Sequence, residues 1–273
     1  MEEIHDALFE EKQISVFVKR DDLIHPIISG NKWRKLREYI QFAQLNGLKQ
    51  LISFGGAYSN HLFALAYACH CFGLTSVGII RGEELTAESN PYLKQMKQWG
   101  MTLYFISRAD YQTKFIPFEF NPKESLCIDE GGFGLLALEG LTKLVDELSE
   151  LPNINHIICP MGTGATYLGL IKAKNNAKIH GIFTLNNRTE IIENATKMEV
   201  EIQEMHANYI FGKYAKQSTD LDQFCEEFYA KHQIKIEPIY TGRMFYGLYD
   251  LIKTDYFCPG SQILAIHTGG IKF

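Results

Sequence analysis

Lys32 is the residue whose type and setting first suggest covalent chemistry. It follows Ser29-Gly30-Asn31 and precedes Trp33-Arg34-Lys35, between a glycine turn and the start of a helix. A lysine amine condenses with an aldehyde only when it is deprotonated and aimed, and a tight Gly-Asn turn feeding a helix start can do the aiming. Taken alone, the heptapeptide also reads as an ordinary basic patch, because Arg34, Lys35 and Arg37 follow closely and such side chains usually face solvent or an anion.

Pro160-Met161-Gly162-Thr163-Gly164-Ala165-Thr166 follows a strand-like run and opens a helix, the setting in which free backbone N–H groups and the helix dipole cradle a phosphate. A Walker loop would end in Gly-Lys-Ser/Thr. A dinucleotide fingerprint would place its third glycine where Tyr167 stands and an acid where the next strand ends at Thr184. A compact phosphate monoester held by glycines, Thr163 and Thr166 fits better than a nucleotide, the alternative being a plain glycine-rich turn.

Ser53-Phe54-Gly55-Gly56-Ala57-Tyr58-Ser59-Asn60-His61 is a second glycine turn entering a helix, where Ser59 either faces a ligand or caps the helix. Ile266-His267-Thr268-Gly269-Gly270 sets the Thr268 hydroxyl just past a strand's carboxyl end, where open α/β sheets gather ligands. His267 reads as structural. Tyr240-Thr241-Gly242-Arg243 precedes a helix, and Gly212-Lys213-Tyr214-Ala215-Lys216 lies in a loop region. With fourteen tyrosines in the chain, either tyrosine taken singly is a packing residue with a polar tip.

These turns need a frame. Ile14, Val16 and Val18 alternate in a first strand, which runs into Lys19-Arg20-Asp21-Asp22 and the loop 23–29. Leu36, Tyr39, Ile40 and Ala43 recur at helical spacing ahead of Gly47, predicting a helix over 35–46. Apolar runs 51–54, 76–80 and 103–106 alternate with helices that start at Ser59 and Asn90-Pro91 and stop at Gly73 and Gly100. The pattern weakens through Asn121-Pro122, where a lobe boundary fits, and resumes at Gly131-Gly132-Phe133-Gly134 with a helix to about residue 148. Strands 156–159, 179–184 and 262–266 and helices 167–174, 188–198, 220–232 and 242–253 continue the rhythm. A parallel sheet flanked by helices is the expected architecture.

With 273 residues and 46% apolar content, the chain can bury a large core, and two lobes are expected. A net charge of -5 with interleaved signs argues against a nucleic-acid or anionic-membrane surface and points to a small-molecule partner. Met1-Glu2-Glu3-Ile4-His5-Asp6 has no secretory features and no run reaches transmembrane length, so a cytoplasmic protein is expected. Its six cysteines lack CxxC spacing, indicating neither disulfides nor zinc but reduced, mostly buried thiols.

Taken together, and in this order, Lys19-Arg20-Asp21-Asp22, Ser29 to Leu36, Gly55 to His61, Gly162 to Thr166, Tyr240 to Arg243 and His267 to Gly270 resemble the fold-type II pyridoxal-phosphate (PLP) enzymes. The resemblance covers nearly the whole chain. It is strongest to the branch containing 1-aminocyclopropane-1-carboxylate (ACC) deaminase and D-cysteine desulfhydrase. It implies a two-lobed, three-layer α/β/α fold with mostly parallel sheets, tryptophan synthase β-like, with a large PLP-binding lobe of 1–37 and 134–273 and a small α/β lobe of 38–133. By resemblance Lys32 would bind the cofactor aldehyde, Asn60 its ring hydroxyl, and Gly162, Thr163, Gly164, Ala165 and Thr166 its phosphate. Ser59 would face the substrate carboxylate, Tyr240 would stack on the ring, and Tyr214 looks like the second active-site tyrosine. Arg34 and Lys35 would then serve helix-start electrostatics or solvation. A homodimer acting on a small amino acid is implied.

Two positions separate the branches: the deaminase pattern has glutamate after the stacking tyrosine and leucine between His and Gly-Gly, whereas the desulfhydrases carry small hydroxyl residues. Here they are Thr241 and Thr268. A hydroxyl at the ring nitrogen would leave the pyridine largely neutral, a milder electron sink suited to β-elimination. Arg243 stands where lysine is usual. The expected reaction is α,β-elimination from D-cysteine or an analogue to pyruvate, ammonia and sulfide. ACC deamination, PLP binding with little turnover, and a phosphate-ligand binding module are the alternatives.

Overall fold

Val16 and Val18 are fully buried while Ser15, Phe17 and Lys19 are only half so, the period-two pattern that makes this segment a strand. The computed structural model describes residues 1–148, 153–174, 176–211 and 218–270. In chain order they form β1 (Glu2–Ile4), α1 (Ala7–Glu11), β2 (Ser15–Arg20), α2 (Asn31–Leu45), β3 (Gln50–Gly55), α3 (Asn60–Phe72), β4 (Thr75–Arg81), α4 (Pro91–Gln98), β5 (Thr102–Ile106), α5 (Arg108–Gln112) and β6 (Ser125–Ile128). There follow α6 (Leu135–Asp146), β7 (His156–Met161), α7 (Ala165–Lys172), β8 (Lys178–Phe183), α8 (Arg188–Lys197), β9 (Glu204–His206), α9 (Thr219–His232), α10 (Thr241–Lys253) and β10 (Gln262–His267).

The chain divides into two compact units. One comprises Met1–Ile24, Ser29–Asn31 and Leu141–Phe273; the other comprises His25–Ile28 and Lys32–Gly140. Residues 25–28, 32–37 and 134–140, expected in the larger lobe, fall in the smaller unit.

The larger unit is built on a six-stranded sheet of order β1-β2-β10-β7-β8-β9, parallel except for β1 against β2. Ile158, Ile182, Ile263 and Ala265 join one core with Phe228 of α9 and Met244, Phe245 and Leu248 of α10. Their neighbours Ile157, Cys159, Ile179 and Leu264 are equally buried on the opposite face, as alternation requires. Both faces are covered, which gives three layers.

The smaller unit carries a four-stranded parallel sheet of order β5-β4-β3-β6. Leu51 and Ile80 pack with α2, α3 and α4, whereas Ile52, Phe54, Val77 and Ile79 pack with Tyr111 of α5 and with Ile116, Phe118 and Phe120. Asn121-Pro122, where a lobe boundary fitted the sequence, therefore lies inside this unit. Its helix ends follow local chemistry: Ser59 Oγ accepts the Leu62 amide at 3.2 Å, Asn90 Oδ1 accepts the Leu93 amide at 2.9 Å, and Gly73 closes α3 at φ +69°.

Among the described residues no helix is long and apolar enough to cross a membrane, and no group of three or more His, Cys, Asp or Glu is placed to hold a metal. All six cysteines are free; Cys69, Cys159 and Cys225 are buried, whereas Cys71 and Cys258 are exposed. The expectation of mostly buried thiols therefore holds for only half of them.

Candidate active site

In the smaller unit, α2 starts earlier than its apolar spacing predicts, at Asn31, so Lys32 sits within the first helical turn rather than before it. Neither Arg34 nor Lys35 is solvated: they are 3% and 2% exposed. Lys35 Nζ donates to the Gly131 carbonyl at 2.9 Å. Burial, and then the charge of Lys32, hold the Lys35 amine well below its ordinary value. The α2 backbone passes so close to α6 that a Cβ at Gly140 would lie 2.0 Å from the Arg34 carbonyl oxygen, which is why glycine stands there.

Ser59, the N-cap of α3, and Asn60, its first residue, are both half-buried. The capping and ligand-facing readings of Ser59 are compatible, since its oxygen accepts one amide and keeps its hydroxyl proton. His61 is buried and bonds Ser53 Oγ through Nε2 at 2.9 Å. Ser53 Oγ donates to the Ile128 carbonyl at 2.8 Å, so His61 Nε2 is the donor and its buried Nδ1 has no partner among the described residues. Burial, then Lys35 and Lys32, keep this imidazole neutral.

In the larger unit, Asn31 ties together two of the expected residues. Its amide donates to the Thr268 carbonyl at 3.2 Å and its side-chain Nδ2 to Thr166 Oγ1 at 3.0 Å. Gly30, at φ +64°, makes this possible, since a Cβ there would lie 1.9 Å from the Thr268 carbonyl oxygen. The residue before Lys32 is thereby fastened to both the first turn of α7 and the Thr268 turn.

α7 begins at Ala165, so Ala165 and Thr166 are first-turn helical residues and Gly164, at φ +79°, is the N-cap. No side chain caps this helix, which leaves its first amides for an anion. A Cβ on Gly162 would lie 3.0 Å from Tyr240 Cε1, so the Tyr240 ring packs against the loop. Asn187 Nδ2 donates to the Gly162 carbonyl at 2.8 Å, and its buried Oδ1 lacks a partner among the described residues. Arg243 is 1% exposed and braces the loop's neighbour, donating from Nη1 to the Thr184 carbonyl at 2.5 Å. Uncapped amides, the Thr163 and Thr166 hydroxyls and an adjacent aromatic ring fit a phosphate monoester carried on a flat ring.

Glu237 organises the turn behind Tyr240. Its carboxylate accepts the amides of Ile239, Tyr240 and Thr241 at 2.8, 3.0 and 2.8 Å, and burial raises its pKa to about 7 despite these bonds. Thr241, fully buried, also gives its hydroxyl to this carboxylate at 3.1 Å. Glu237 was not singled out from sequence, since an acid three residues before an N-cap is not a usual capping position. Tyr214 lies outside the described residues.

A family model described as "Pyridoxal-phosphate dependent enzyme" matches residues 5–269. A Pyrococcus abyssi protein named "Putative 1-aminocyclopropane-1-carboxylate deaminase" is 30% identical, the match covering 96% of this chain and 86% of that protein. A mitochondrial protein of Arabidopsis thaliana named as a bifunctional D-cysteine desulfhydrase/1-aminocyclopropane-1-carboxylate deaminase is 26% identical, covering 94% and 72%. A D-cysteine desulfhydrase of Salmonella typhi is 24% identical, covering 93% and 86%. The crystal structure of an ACC deaminase homologue superposes with a TM-score of 0.79 at 25% identity, covering 99% of this chain and 88% of that one. With the fold in agreement, this chain belongs to the pyridoxal-phosphate-dependent enzyme family, in the branch that holds ACC deaminases and D-cysteine desulfhydrases.

Proposed function

We propose that this enzyme is a lyase that eliminates the β-substituent of D-cysteine or a close analogue, giving pyruvate, ammonia and sulfide, and that it works as a cytoplasmic homodimer. The observation that carries this reading is the pair of hydroxyl residues Thr241 and Thr268, both buried, 0% and 7% exposed. When bound, PLP supplies a conjugated ring that drains charge from the substrate carbon as its Cα–H bond breaks.

The chain's residues take the remaining roles. Lys32 Nζ would bind the cofactor aldehyde and move the Cα proton, and its chain neighbour Asn31 is bonded to Thr166 and Thr268. Gly162, Thr163, Gly164, Ala165 and Thr166 hold the phosphate, Asn60 the ring hydroxyl, Ser59 the substrate carboxylate, and Tyr240 the ring face, with Tyr214 as the second tyrosine. Thr241 would stand at the ring nitrogen, beside Glu237.

ACC deamination is the second reading, favoured by the 30% identity to a relative bearing that name against 24% to a named desulfhydrase. Keto-acid release from D-cysteine and from ACC, measured side by side, separates the two; preference for ACC overturns the assignment drawn from Thr241 and Thr268. Lys32→Ala should abolish the visible absorption band of the bound cofactor, and a retained band would remove Lys32 from its role.

A further inference from the structure

The smaller unit contains a cavity of about 590 Å³ that the proposed chemistry leaves unused. It lies at the carboxyl ends of β3, β4 and β5, its wall running from Gly56-Ala57-Tyr58 past Arg81 to α5 and Glu130. Open parallel sheets receive ligands at this end, where the strand order reverses. Here β3 continues to β4 on one side and is joined by β6 on the other.

The charges lining the cavity are unequally committed. Arg108 pairs with Glu84 at 2.6 Å, and Lys114 pairs with Glu130 at 2.7 Å. Arg81, the last residue of β4, has no ion pair among the described residues; its guanidinium lies 5.6 Å from the centre of the Tyr111 ring. Lys114 Nζ lies 4.6 Å from the same ring, so Tyr111 is flanked by two cations.

Tyr111 is only 4% exposed, and its hydroxyl has no hydrogen-bond partner among the described residues. Burial, then the nearby Glu130 carboxylate, itself bound to Lys114, keep the phenol protonated; Glu130 lies close to the phenol, yet the hydroxyl makes no hydrogen bond of standard geometry among the described residues. A buried phenol left as an unused donor beside an uncommitted guanidinium asks for an acceptor that both can reach.

We propose that this cavity binds an organic monocarboxylate, its carboxylate held between the Arg81 guanidinium and the Tyr111 hydroxyl and its body resting against Tyr58 and Leu85. The planar guanidinium fork matches a carboxylate. One uncommitted cation suits one negative charge, and the two lining glutamates disfavour a phosphate dianion. The volume exceeds what a bare ion needs and lies in the range of small-molecule sites. Through Gly56-Ala57-Tyr58 the site is continuous with the turn that carries Ser59 and Asn60.

The test is calorimetric titration of the cofactor-loaded protein with benzoate, with benzamide and inorganic phosphate as parallel probes. Saturable benzoate binding is expected, without binding of benzamide. Arg81→Met should weaken benzoate by about tenfold or more and Tyr111→Phe by about threefold, at unchanged melting temperatures. The Tyr111→Phe variant keeps the test decisive if Arg81→Met is unstable, because it removes one oxygen and no packing. No saturable binding, equal affinity in both variants, or phosphate binding tighter than benzoate would each overturn the assignment.

Discussion

Glu237 and Thr241 hold each other in place at the start of α10. Glu237 Oε1 accepts the Thr241 amide at 2.8 Å and its hydroxyl at 3.1 Å, while the Glu237 amide donates to Thr241 Oγ1 at 3.0 Å. The hydroxyl proposed to face the cofactor ring is thus oriented from behind by a carboxyl whose pKa burial raises to about 7 from 4.5.

That shift has a definite sign. Between 4.5 and about 7 the folded protein retains a proton the unfolded chain has released, so stability from this group is full at the lower limit and falls as pH rises through the window, by roughly 3 kcal/mol at most. Glu237→Gln should lack this fall. Urea unfolding on either side of the window checks it, and identical pH profiles for the two proteins would contradict the assignment.

Gly30 should be far less replaceable than Gly47, although both have left-handed backbones at φ +64° and +66°. A Cβ at Gly47 meets nothing within 4 Å, so Gly47→Ala should cost only about 1 kcal/mol. At Gly30 the same methyl would overlap the Thr268 carbonyl, and Gly30→Ala should cost about 3 kcal/mol or more. Denaturation midpoints measure both, and equal losses would show that the approach of Gly30 to Thr268 carries no weight.

Asn187 should act on cofactor affinity through Gly162. Its Nδ2 holds the Gly162 carbonyl at 2.8 Å, and an aspartate there would replace the donor with a negative charge beside a phosphate loop. Asn187→Asp should weaken PLP binding by about tenfold or more while lowering stability by about 1 kcal/mol. Fluorescence titration of the cofactor-free protein gives the affinity; an unchanged value would disconnect Asn187 from the loop.

Three imidazoles cross neighbouring strands of the larger sheet: His156 Nδ1 meets His180 Nε2 at 3.0 Å, and His180 Nδ1 meets His206 Nε2 at 3.2 Å. Burial, then the neighbouring His156 and His206, push His180 down to about 3, with Glu204 opposing and Lys178 reinforcing the shift. A depressed histidine contributes stability that is complete above the unfolded value of about 6.5 and disappears as pH falls toward the folded one. His180→Gln should flatten the acid limb of the stability profile by roughly 2–4 kcal/mol. Thermal melts across that range would show it, and an acid limb as steep as the parent's would contradict it.

Much of the fold was legible in the sequence because its signals are local. Alternation at Val16 and Val18, helical spacing from Leu36 to Ala43 and the Ser59, Asn90 and Gly73 caps each depend on neighbours within one turn or strand. The short β6 and β9 escaped for the same reason, having only four and three residues over which to show a period. Motif order alone is what led from Lys32, the Gly162 loop and Tyr240 to the expectation of one cofactor. Tertiary structure decided what those motifs touch. Asn31 meets Thr166 across 135 positions, and Arg34 and Lys35, which sequence alone leaves free to be solvated, are buried. Arg81 comes to rest over Tyr111 beside a donor that nothing else in the described chain satisfies. Such pairings follow from packing between elements distant in sequence, and burial, which sets the titration of Glu237, Lys35 and His180, exists only once those elements have closed around them.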